Sequence, residues 1–158
     1  LLKESIIGRI RDFYTNGIDE IGPNVGAEYK AQVLTRNTSP QYASLDWLVE
    51  HEVIDANDLE TFERIKSARN KLAHELPSLV FQGGNFKHVE IFHELVALLR
   101  KIEVWWVVNV EIATNPDYDG QEIDEEGIVP GPVLTLQMMF EVLSGNEELL
   151  NTYRKGRQ

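Results

Sequence analysis

The chain has 158 residues, 42% of them hydrophobic, with a formal net charge of −11 from 26 acids against 15 bases. That length suits one domain burying roughly 70% of its unfolded surface, and the acidity excludes a protein that coats nucleic acid through general electrostatics, where phosphate contacts dominate. Cysteine is absent, which removes thiolate catalysis, zinc ribbons and disulfide frameworks and fits a reducing, cytoplasmic setting. Leu2, Ile6, Ile7, Ile10 and Phe13 recur at helical spacing and predict a first helix that Gly17 stops. The chain opens at Leu1 already in helical register, so its native start is expected further upstream. Residues 21–24 read as a turn, and 27–36 as a short helix ended by Asn37-Thr38-Ser39-Pro40. Residues 42–53 form the next helix, with Leu45, Leu48 and Val49 on one side.

Asp55 or Asn57 is placed to cap a helix over about 57–75, closed by Pro77, which pushes Leu76 out of the α region. Gln82-Gly83-Gly84 is a flexible break, and Asn85 caps a long helix to about residue 114. Phe92, Leu95, Leu99, Ile102 and Trp106 give that helix an apolar core stripe. Glu94, Arg100, Lys101, Glu103 and Glu111 interrupt it too often for a membrane span, which needs ~20 apolar residues. Residues 115–131 form an acidic loop, and helices over 134–143 and 147–153 close the chain around Ser144-Gly145-Asn146. No strand pair is expected, although Leu79-Val80-Phe81 or Ile128-Val129 could be short extended pieces. The reading is all-α: a single domain over 1–158, an up-and-down helical bundle with extra C-terminal helices.

One segment breaks its own pattern. Phe62, Ile65, Leu72 and Leu76 form a stripe by threes and fours, and Arg69 takes the remaining place in it, at about 340° on a wheel with Phe62 at zero. A guanidinium aimed at a core costs several kcal/mol unless it is paired or opens into a cleft. It therefore requires either an acid from a neighbouring helix, a stem lying along the stripe's edge, or a ligand. Asn70 and His74, four apart, share the adjacent polar face, where Asn70 can fix the imidazole tautomer. His74 equally suits a helix C-terminus, where the dipole favours a cation. Arg69 and His74 lie about 140° apart on an ideal helix, so they converge only if the last turn unwinds or a second subunit contributes. Arg64, Lys66, Arg69 and Lys71 make this the one locally basic stretch of an acidic chain.

Arg69-Asn70-Lys71-Leu72-Ala73-His74 resembles the signature of the HEPN superfamily: an arginine, a polar residue, a few more residues, then histidine. The resemblance implies a helical bundle with the motif near the end of a core helix, and a homodimer in which two motifs face one cleft. It implies a metal-independent endoribonuclease, of a kind often found as a toxin or antiviral effector, acting on RNA. Arg69 would stabilise the phosphate, Asn70 would position the site with Lys66 and Lys71 nearby, and His74 would be the general acid or base. The RNA supplies its own 2′-OH nucleophile, giving a 2′,3′-cyclic phosphate and a 5′-hydroxyl. A further polar residue from elsewhere is often present in the family; Glu63 and Glu28 are the candidates here. The alternative is a non-catalytic HEPN-like interaction, dimerisation or nucleotide-binding module, serving an antitoxin or partner protein.

No other constellation competes. His88 and His93 are five apart and share no helix face as a metal pair should. His51 has no evident partner. The acidic loop lacks the glycine and terminal glutamate of an EF-hand, and Gln82-Gly83-Gly84-Asn85 lacks the lysine and threonine of a phosphate-binding loop. Neither a metal nor another cofactor is expected.

Overall fold

A computed structural model describes residues 1–19, 22–82 and 89–143. The chain is mostly helical, with α1 over Leu2–Phe13, a short α2 over Ala27–Tyr29, α3 over Pro40–Glu50, α4 over Ala56–Gln82, α5 over Val89–Trp106 and α6 over Gly131–Leu143. The expected cap at Asn85, the break at Gly83-Gly84, His88 and the closing helix over 147–153 lie outside the described residues. Among the described residues no helix is long and apolar enough to cross a membrane.

The core forms where α1, α3 and α5 meet. Ile6 and Ile10 of α1, Ala43, Trp47 and Leu48 of α3, and Leu98, Ile102 and Trp106 of α5 are buried together, with Phe62 and Ile65 of α4 closing one side. Ring stacking organises the centre. Trp47 and Trp106 lie parallel at 5.9 Å between centroids, and Phe13 packs on both. His51 has a partner after all: its ring stacks on Trp47 at 3.7 Å, and Nδ1 lies 2.8 Å from the Trp47 carbonyl oxygen. A buried charge crosses the same core. Glu103, 1% exposed, accepts from Arg9 of α1 at 2.7 Å, and Arg9 also reaches Glu111 at 2.9 Å. The bond to Glu103, ahead of its charge, raises the Arg9 pKa.

α4 and α5 run antiparallel, because Lys101 near the end of α5 meets Asp55 and Asp58 at the start of α4, while Glu94 meets Arg64 further along. The start of α4 is a reciprocal cap. Asp55 Oδ1 accepts from the backbone N–H of Asn57 and Asp58 at 2.8 and 3.1 Å, and Asp58 Oδ2 accepts from the Asp55 N–H at 2.9 Å. Asp55 thereby satisfies two backbone donors and Asp58 one. Those amides, with Lys101 second, hold the Asp55 carboxyl below its ordinary pKa.

Four expectations fail in the backbone. The first helix ends at Phe13, before Gly17, and a hairpin follows: β1 over Thr15–Asp19 pairs antiparallel with β2 over Gly22–Val25 where only a turn was expected. Gly17 and Gly22 both take positive φ there, at 131° and 136°, which side chains disfavour. Pro77 does not end α4. The helix runs on to Gln82, so Leu79-Val80-Phe81 is helical; a proline deletes one backbone bond, but packing along a long helix can carry it past that gap. The helical stretches at 30–34 and 107–112 widen to π geometry, so α5 loses its α register at Trp106 rather than at residue 114. Residues 115–130 form the acidic loop, with a single 3-10 turn at Pro116–Tyr118, and α6 already begins at Gly131.

Candidate functional site

The turn from Arg69 to His74 lies in the second half of α4, beyond the part that the core covers. Along this helix Phe62 and Ile65 are buried, Ala68 and Leu72 half-buried, and Arg69, Asn70, Lys71, Ala73 and His74 exposed. The expectation that Arg69 points into a core is therefore wrong. Spacing places Arg69 at the flank of the stripe, and among the described residues the neighbouring helices leave that flank exposed.

Arg69 Nη1 donates to the side-chain oxygen of Asn70 at 2.9 Å. Asn70, expected to orient His74, instead turns that oxygen to the arginine. Among the described residues the Arg69 guanidinium has this neutral amide as its partner and no carboxylate, unlike Arg64, which meets Glu94 at 3.2 Å. Such an arginine keeps its charge available to an incoming anion, whereas an ion-paired one must first break its pair. Because α4 stays helical through Gln82, the last turn does not unwind. Arg69 and His74 thus keep their separation of about 140°, and one copy of the helix does not bring them together.

Lys66 is not the free phosphate-binding cation anticipated for it. Its ammonium donates to the Tyr42 hydroxyl, stands 4.7 Å over the Tyr42 ring and lies 3.6 Å from Glu63, while the Tyr42 hydroxyl donates to Glu63 at 2.6 Å. Bonding to Tyr42 first, and then the charge of Glu63, raise the Lys66 pKa. This cluster ties α3 to α4 one turn before Asn70. Glu63 is thus committed to Tyr42, and Glu28 stands exposed on α2. Tyr42 was missed. The Glu63–Lys66 spacing is visible in sequence as a helical pair, but nothing local says that a tyrosine on α3 inserts between them.

His93 is exposed, with its ring 6.3 Å from Phe140 of α6. Among the described residues no three His, Asp or Glu side chains converge on a point that could hold a metal ion. Comparison of the chain with protein families, with curated proteins and with solved structures finds no match.

Proposed function

We propose that the chain is a metal-independent endoribonuclease of HEPN type, working as a homodimer in which the Arg69–His74 turns of two copies face one cleft. The observation that carries the reading is the exposed Arg69 guanidinium, held by the amide of Asn70 instead of a carboxylate, with an exposed His74 little more than a turn away on the same helix. A planar fork with free charge suits the non-bridging oxygens of a phosphate, and an imidazole titrates in the range that proton transfer needs. The 2′-oxygen attacks the adjacent phosphorus as His74 takes its proton. The bond to the 5′-oxygen breaks, and a protonated His74 returns a proton to that leaving group. The uninterrupted helix keeps Arg69 and His74 of one chain on different faces, which is why the reading takes in a second copy. Lys71 remains a candidate for binding the strand outside the scissile phosphate, and RNA would be recognised only at this locally basic turn. A toxin or antiviral effector held in check by an antitoxin, in the cytoplasm, is the setting that this chemistry suits.

The same 140° separation favours a second reading, a non-catalytic interaction or nucleotide-binding module in which Arg69 meets an anion or a partner. An end-labelled RNA assay separates the two. His74→Ala should lower cleavage by about 10²–10⁴-fold while circular dichroism stays native. Arg69→Lys, which keeps the charge but loses the fork, should fold and cleave poorly. If folded His74→Ala protein cleaves as well as the parent, the non-catalytic reading is the better one.

A further inference from the structure

At the end of the α4–α5 pair remote from the Arg69 turn, a groove of about 460 Å³ runs along α5. Its floor is apolar: Val53, Val104 and the half-exposed Trp105, continued by Val108 in the π-helical extension. Its two walls are built, not incidental. Arg100 holds the far wall by donating from one nitrogen to the carbonyl oxygens of Glu125, Glu126 and Ile128, at 2.9, 3.0 and 3.4 Å. The near wall is the end of α3, where the Val53 N–H bonds the Leu48 carbonyl and the Glu52 N–H bonds the Val49 carbonyl, a Schellman closure. In that closure the residue with positive φ is ordinarily glycine or asparagine, yet Glu52 occupies it at φ 57°.

The charges of the groove are unequal in their freedom. Lys101 is already neutralised by Asp55 and Asp58, and Arg100 is turned onto carbonyls. Glu52 and Glu125, both exposed on opposite walls, have no cationic partner among the described residues. Beyond Glu125 the negative lip continues as Glu122, Asp124 and Glu126 around a second opening of about 610 Å³. An aliphatic stem lying on an indole face with its charge between two carboxylates is the arrangement that lysine and arginine side chains favour. The continuation of the lip past one side chain's reach calls for several cations in a row. We infer that this groove receives a basic peptide segment of a partner protein, with one Lys or Arg stem across Trp105 and its head between Glu52 and Glu125. This stands independently of any ribonuclease activity.

The test is fluorescence anisotropy of labelled hexalysine and hexaarginine peptides against the whole chain at an ionic strength of about 0.15 M, where nonspecific attraction is screened. Saturable one-to-one binding is expected, weakened about tenfold or more by Glu52→Asn and by Glu125→Gln, and several-fold by Trp105→Leu. Glu4→Gln, which removes the same charge from α1, should leave binding within twofold. Glu52→Asn keeps the proposal falsifiable whatever becomes of the tryptophan variant, because asparagine suits the backbone at that position. Equal weakening by Glu4→Gln, unchanged binding by Glu52→Asn, or no binding at this salt would each overturn the proposal. So would spermine binding as tightly as the peptides, since that would make the ligand a small polyamine.

Discussion

Glu52 shows how one residue can work against the stability of its own fold. A left-handed conformation costs an L-residue roughly 1–2 kcal/mol, whereas glycine takes it without that strain and loses some of the gain to backbone entropy. Glu52→Gly should therefore stabilise the protein by about 0.5–1 kcal/mol, read as a rise in the denaturation midpoint with an unchanged slope. An unchanged or lower midpoint would show that the side chain makes a compensating contact. Arg69 carries a different lesson. Its place beside the stripe of Phe62, Ile65 and Leu72 is legible from spacing alone, but its exposure is not, because a helical wheel gives direction and not how far the neighbouring helices extend. Tyr42 was hidden for a related reason: its roles with Lys66 and Glu63 depend on how α3 lies across α4, which neither helix encodes locally.

Among the elements, α4 depends most on its first turn. Asp55 accepts two backbone bonds there and meets Lys101 of α5. Its folded pKa lies below the ordinary value of 3.8, so its contribution to stability is complete above that value and is lost as the pH falls through the lower folded pKa. Melting temperatures measured from pH 5 downwards should fall more gently for Asp55→Asn, which keeps the cap but cannot titrate. Identical acid profiles for parent and variant would refute this. The cap was legible as Asp55 or Asn57 ahead of an apolar run, and the structure selects Asp55. Pro77 misled because a proline weakens a helix locally, and the decision to continue belongs to the whole of α4. The hairpin was missed because Thr15-Asn16-Gly17-Ile18-Asp19 lacks apolar alternation, and its Asn, Gly and Asp are residues depleted in strands that outweigh the β-branched Thr15 and Ile18. What builds it is two glycines in conformations that no apolar pattern reveals.

At the scale of the whole molecule, a net charge of −11 opposes the pairing of two copies. The proposed dimer joins the least acidic part of the chain, the Arg64–His74 stretch, but the acidic bodies behind it still repel through solvent. Raising the ionic strength from about 0.01 M to about 0.15 M shortens the screening length from ~30 Å to ~8 Å. Sedimentation should therefore show association strengthening over that range, and a stable interface should bury at least ~1,000 Å². A monomer at high micromolar concentration in both salts would remove the proposed dimer, and with it the proposed shared cleft. The all-helical class was legible because α1, α3, α5 and α6 each carry periodic apolar faces. The assembly was not, since the faces that would meet another copy carry no such period.

The three tryptophans lie in one cluster, and this sets what light can report about the protein. Trp106 is 2% exposed, and its indole N–H has no hydrogen-bond partner among the described residues, while the Trp47 N–H reaches the Tyr14 hydroxyl at 3.2 Å. An indole in such dry surroundings emits towards the blue, and its spectrum moves to the red when water enters. Intrinsic fluorescence is therefore a gauge of the junction of α1, α3 and α5. It is blind to the second half of α4, which carries Arg69 and His74 at the opposite end of the helix pair. If that half frays before the core opens, far-ultraviolet dichroism will begin to fall while the emission maximum stays where it was.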